Sequence, residues 1–125
     1  MRKSIAAVVG GLLSAGSFMG MGSGAAEAAP ALCNEHQWTV TSIQTKGSYA
    51  AICKWQGDGR LEYHGYAKSN HTTVQAPVVS VTKLANHPGY GYTAKNNGYT
   101  YMIHEGLRLV IVDPSGAVID MSPAI

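Results

Sequence analysis

The dipeptide Asn97-Gly98 constrains this chain more than any other feature, because it sits inside an alternating run from Tyr90 to Ile103. A two-residue type I′ turn needs positive φ at both central positions, and Asn-Gly meets that need at the least steric cost. If Asn97 and Gly98 form the loop, Ala94 faces Tyr101, Tyr92 faces Ile103, Thr93 faces Met102 and Lys95 faces Thr100. The first two pairs make one apolar, aromatic face, the arrangement that cross-strand packing rewards. A slip of one residue would scatter that face. The run therefore predicts a hairpin and its register together.

The same period-2 pattern recurs along the chain with turn signals between its repeats. Trp38 and Val40 alternate with Thr39 and Thr41 in a strand near residues 37–44, ended by Lys46-Gly47-Ser48. Tyr49, Ala51, Cys53 and Trp55 share a face of a second strand, which Gly57-Asp58-Gly59 turns. Leu61, Tyr63 and Gly65 line one side of a third, with Glu62, His64 and Tyr66 on the other. Residues 68–73 read as a loop. Beyond it Pro77 cannot donate to a ladder, so it belongs at a sheet edge or at a strand's first residue, with Val78-Val79-Ser80-Val81 extended after it. Glu105-Gly106 turns the chain into 107–112, apolar on both faces and hence central. Asp113-Pro114-Ser115-Gly116 carries a type I turn signature, and a last strand runs from Ala117 to Met121 until Ser122-Pro123 ends it. The expected fold is all-β: a small antiparallel meander of seven or eight strands closing into a barrel or a compact sandwich. Fifteen glycines, seven tyrosines and only 13% charged residues suit that class better than a helical bundle.

The N-terminus belongs to a different category. Arg2 and Lys3 precede a nearly uncharged stretch from Ile5 to Met21, and Ala26-Glu27-Ala28 supplies the small-x-small pattern of a signal-peptidase site. Residues 1–28 are expected to be a cleaved secretory signal, with cleavage after Ala28 or Ala29, and 29–125 a single β domain. The apolar part is too short and glycine-rich for a comfortable membrane span, and no later stretch approaches span length. A secreted or periplasmic address follows. Removing Arg2, Lys3 and Glu27 leaves 7 basic and 6 acidic residues, too even a balance to steer the domain to nucleic acid or anionic lipid. In an exported chain the pair Cys33 and Cys53 reads as one disulfide, closing a loop of about 20 residues and worth roughly 3 kcal/mol.

Chemistry-bearing constellations are sparse. His36, His64, His71, His87 and His104 show neither H-x-H nor H-x-x-x-H spacing, so neither a metal nor a cofactor is expected. No G-x-S-x-G elbow is present. Glu62 and His64, two apart on one strand face, form the one candidate acid–base pair and carry the alternative reading as a minor hydrolase. An antiparallel barrel can also enclose a small ligand, which gives a carrier as another alternative. The preferred reading is a non-enzymatic, monomeric binding module. It would recognise a protein or a cell-wall glycan through loops and the aromatic hairpin, since tyrosine joins apolar area to a polar tip. Tyr92 and Tyr101 are assigned to the core. His64, Tyr66, His87, Tyr90, Lys95 and Asn96 are the candidate contacts.

The order of Cys53-Lys54-Trp55-Gln56-Gly57, then Gly89-Tyr90-Gly91-Tyr92, Tyr99-Thr100-Tyr101 and Leu107-Arg108-Leu109 resembles the membrane-bound lysozyme inhibitors of c-type lysozyme. The similarity covers residues 49–112 in order and spacing. That family carries a Ser-Ala-Ser-Gly-x-Arg-Tyr segment whose loop enters the lysozyme cleft. The matching stretch here is Asn86-His87-Pro88-Gly89-Tyr90-Gly91-Tyr92, which keeps the Gly and the last Tyr and lacks the serines and the Arg. The resemblance implies a small exported β-barrel and, as an alternative function, a lysozyme-inhibitor-like protein.

Overall fold

A computed structural model describes residues 30–125; the expected leader and its cleavage point lie outside the described residues. Eight strands follow one another without a crossover: β1 (Gln37–Gln44), β2 (Ser48–Trp55), β3 (Leu61–Ala67), β4 (Thr73–Lys83), β5 (Tyr90–Asn96), β6 (Tyr99–His104), β7 (Arg108–Val112) and β8 (Val118–Pro123). They form one antiparallel sheet in the order β1 to β8. It curls into a half-barrel rather than a closed barrel or a sandwich. A backbone hydrogen bond of 2.9 Å from the Ile125 N–H to the Gln44 carbonyl ties the C-terminal tail to the end of β1.

The β5–β6 hairpin has the expected register throughout, including Ala94 opposite Tyr101 and Tyr92 opposite Ile103. Asn97 and Gly98 have φ of 54° and 82°, the left-handed pair a type I′ turn requires. The 113–116 turn closes with Gly116 N–H donating to the Asp113 carbonyl at 3.0 Å. The last strand starts one residue later than expected and runs on to Pro123.

Inward side chains of all the central strands fill the concave side. Ile43, Ala50, Ile52, Tyr63, Ala76, Tyr92, Ala94, Tyr101, Ile103 and Leu109 are buried there. Tyr63 and Tyr101 stack with ring centroids 4.8 Å apart. Burial, with the adjacent Tyr101 next in weight, raises the Tyr63 phenol above its ordinary value, so the ring stays neutral.

Pro77 is neither at the sheet's outer edge nor first in its strand. It lies inside the eleven-residue β4, where that strand changes partner. Residues 73–77 pair with β3, and pairing with β5 begins at Val78. Ala67 donates to Thr72 at 3.0 Å, and hydrogen-bonded pairs alternate from there, so Pro77 opposite Glu62 is a non-hydrogen-bonded pair. Its missing N–H costs that ladder nothing. A register shift between Val78 and Ser80 then re-aims the strand toward β5.

Candidate functional site

β2 is buried on both faces from Tyr49 to Cys53, which a one-layer sheet does not achieve unaided. Residues 30–36 supply the cover. They cross the convex face of β1–β3 as a strap, held by the disulfide Cys33–Cys53 with a Cα–Cα distance of 5.5 Å. Beneath the strap lies a polar cluster. The His64 ring places Nδ1 2.7 Å from the Leu32 carbonyl and Nε2 2.9 Å from Glu62 Oε1. Gln37 Nε2 donates to the same oxygen at 2.9 Å, and the Asn34 N–H donates to Gln37 Oε1 at 3.0 Å.

His64 lies on the outward face expected for it, with Glu62, but it is only 5% exposed, because the strap lies over it. The pair with Glu62 exists, but in this arrangement both imidazole nitrogens are occupied. Burial raises the Glu62 carboxyl, yet hydrogen bonds from His64 and Gln37, with the charge of His64, outweigh it and leave the group below its ordinary value. The Leu32 carbonyl at one ring nitrogen and the Glu62 carboxylate at the other hold the imidazole between strap and sheet. The Trp55 indole N–H turns toward the same carboxylate without reaching hydrogen-bonding geometry and is buried without a partner. The arrangement is a latch between strap and sheet.

A second region gathers at the mouth of the half-barrel. Cross-strand partners share a face, so the inward row from Ile52 and Tyr63 continues through Lys54 and Trp38 on one side. From Tyr92 it continues through Val81, Tyr90 and Lys83 on the other. Val40, Lys54, Leu61, Val81, Tyr90 and Tyr92 line an open groove of about 300 Å³ there. Trp38 (57% exposed), Tyr90 (47%) and Val81 (46%) leave large apolar surfaces in water. Leu61 and Tyr92 continue the groove into the core.

The six candidate contact residues do not converge. Tyr90 lines this groove, and the half-buried His87 lies in the adjoining β4–β5 loop with Nδ1 2.7 Å from the Pro88 carbonyl. His64 is under the strap. The half-buried Tyr66 meets His71, its hydroxyl hydrogen-bonded to the ring Nδ1. Lys95 is exposed near the tip of the aromatic hairpin. Asn96 donates from Nδ2 to the Gln75 carbonyl at 2.9 Å, covering the stretch of β4 that has no β5 partner. Sequence reading missed Val40, Lys54, Leu61 and Val81. Lys54 and Leu61 flank the β2–β3 turn and Val81 is near the end of β4, whereas Val40 sits at the register shift in the middle of β1, which no sequence signal marks. Among the described residues no three His, Cys, Asp or Glu side chains converge on a metal-sized space, and no helix is long and apolar enough to cross a membrane.

No protein-family model, curated protein or solved structure matches this chain.

Proposed function

We propose that this protein is an exported, non-enzymatic binding module, secreted or periplasmic, that recognises a protein or a cell-wall glycan at the mouth of its half-barrel. The observation that carries this reading is the groove, where the rings of Tyr90 and Tyr92 and the side chains of Val40 and Val81 stand together beside Lys54. A concave apolar surface with a few polar groups is the common form of a recognition site. The expected leader and the disulfide Cys33–Cys53 support the exported address. The test is an NMR titration of the 15N-labelled domain with peptidoglycan fragments, with c-type lysozyme and with short peptides. Shifts centred on Tyr90, Val40 and Val81, weakened about tenfold by Tyr90→Ala, are expected. No shift with any of the three classes of probe would end the reading.

The lysozyme-inhibitor-like reading stands as a second proposal on one observation. The stretch that corresponds to the family's inhibitory loop is the exposed β4–β5 connection, where Asn86 and Gly89 adopt φ of 58° and 101° and lead directly to Tyr90. An assay of c-type lysozyme turnover against increasing domain concentration separates this reading from glycan recognition, which leaves the enzyme's rate unchanged.

A further inference from the structure

We propose that the groove at the mouth of the half-barrel takes the hydrocarbon chain of a single-chain anionic amphiphile, a straight-chain fatty carboxylate, with its carboxylate held at Lys54 and Lys83. The proposal rests on the reading of the mouth as a binding surface and goes beyond the protein or glycan named there. Such partners would meet the exposed rim, whereas the floor of the groove is fitted to hydrocarbon.

The lining selects the body of the ligand. Val40, Leu61 and Val81 are aliphatic, and Tyr90 and Tyr92 add two aromatic rings. Apart from the two phenols, Lys54 is the one hydrogen-bonding side chain among the residues that line the groove. Groups rich in hydroxyls or amides, pressed against those walls, would lose water without gaining partners. Methylenes lose nothing there, and each one buried adds to binding. Leu61 and Tyr92 lead from the groove into the buried core.

The groove of about 300 Å³ is not a dead end. Through Leu61 and Val81 it adjoins a cleft of about 430 Å³, where Pro77, Val78 and Val79 add further apolar wall. That cleft follows from the change of partner within β4. β3 pairs with β4 only as far as Pro77, pairing with β5 begins at Val78, and the two strands part below that point. Each space is of the size that holds a small ligand. Two adjoining apolar spaces suit a flexible chain that runs from one into the other.

Charge sets the head group and its direction. The inward row that carries Trp38 brings Lys54 to one wall, and the row that carries Tyr90 brings Lys83 beside the other. Among the described residues neither lysine forms an ion pair. Two carboxylates stand at neighbouring turns. Asp58 is paired with Arg60 at 2.7 Å. Glu105, on the far side of Tyr90 from Lys83, turns Oε1 to the Tyr90 N–H at 2.8 Å. Neither lines the groove. Glu62 borders the cleft from the outward face, where His64 and Gln37 hold its Oε1. A carboxylate head is therefore repelled from the cleft and drawn to the two lysines, so the methyl end enters and the head stays at the mouth. Apolar body and anion then lie on one face of the sheet, as the groove and its lysines do.

The test is a titration of the 15N-labelled domain with octanoate, decanoate and dodecanoate below their micellar concentrations, with decanol, and with decyltrimethylammonium. Shifts at Val40, Leu61, Val81 and Tyr92 are expected with the carboxylates, and affinity should rise about two- to fourfold for each added methylene. Decanoate should bind more tightly than decanol, and decyltrimethylammonium more weakly than either. Lys54→Gln and Lys83→Gln, both at exposed positions, should each weaken decanoate about two- to fivefold and leave decanol unchanged. A carboxylate series without a trend in chain length overturns the proposal, and so does equal binding of the three decyl head groups. A response to peptidoglycan fragments, lysozyme or peptides at Tyr90 and Val40 while every amphiphile is silent also overturns it, and leaves the groove reading standing. Sedimentation with phosphatidylglycerol vesicles while the monomeric carboxylates are silent overturns it in favour of a bilayer at the rim. Silence with all probes removes both readings.

Discussion

Glu62 shows how a single side chain here serves the fold before any chemistry. Its Oε1 receives hydrogen bonds from His64 and from Gln37, and its carboxyl lies below the ordinary value of 4.5. A carboxylate depressed in the folded state stabilises above the unfolded-state pKa and loses that contribution as pH falls through the folded one. The melting-temperature difference between wild type and Glu62→Gln should therefore be largest near pH 6 and shrink toward pH 3. A difference independent of pH would mean that the bonds, and not the charge, hold the latch. Asp58, held low first by the backbone N–H and then the side chain of Arg60, and Asp113, held low first by the Ser115 hydroxyl, titrate in the same direction. Both retain their part of the acid transition in the variant. The spacing of Glu62 and His64 was legible in the sequence as a pair. Burial of the pair was not, because the residues that cover it lie some thirty positions earlier.

At the scale of elements, local chemistry settles most turns. The Asn97-Gly98 hairpin needs nothing beyond its own fourteen residues to define its register, which is why the sequence foretold every pair tested there. Gly98→Ala would force a Cβ into φ of +82° and within 3.1 Å of Pro114. The expected loss is about 1–2 kcal/mol, read as a lower urea midpoint with an unchanged slope. Gly116→Ala, also at positive φ but with open space around its Cβ, should lose less. The contrast with β4 is instructive. Pro77 and the long run around it were ambiguous because a strand with different neighbours on its two halves cannot be recognised from its own residues. Edge placement was the correct physical demand for Pro77, and the partner change meets it inside the sheet.

For the whole molecule, a one-layer curled sheet has a convex face to cover, and the strap covers only part of it. Ala51 and Cys53 present small outward side chains where the strap crosses, and the disulfide anchors it at Cys53. Cysteine parity made the bridge legible in the sequence. The layer that the bridge creates was not, since nothing in the composition of residues 30–36 marks them as a cover. The bridge closes a loop spanning 20 positions, so Cys33→Ala with Cys53→Ala should lower the unfolding free energy by about 3 kcal/mol while the far-UV circular dichroism stays that of the sheet. The larger question is whether the strap leaves. Without the bridge the strap is held by the His64–Leu32 contact, by the bonds between Gln37 and Asn34, and by the Gln56 N–H donating to the His36 carbonyl at 3.0 Å, against an ordering cost of roughly 1–2 kcal/mol per residue. One bond contributes about 1 kcal/mol. The Gln37–Asn34 and Gln56–His36 bonds anchor residues 34–36, so the balance favours release of the part of the strap before Asn34, which only the His64–Leu32 bond ties. In the double variant the His64 ring signals should move to those of a solvent-exposed imidazole. A ring that keeps its buried signals would show that strap and sheet are held by their polar contacts alone, and that the disulfide only locks an arrangement already formed.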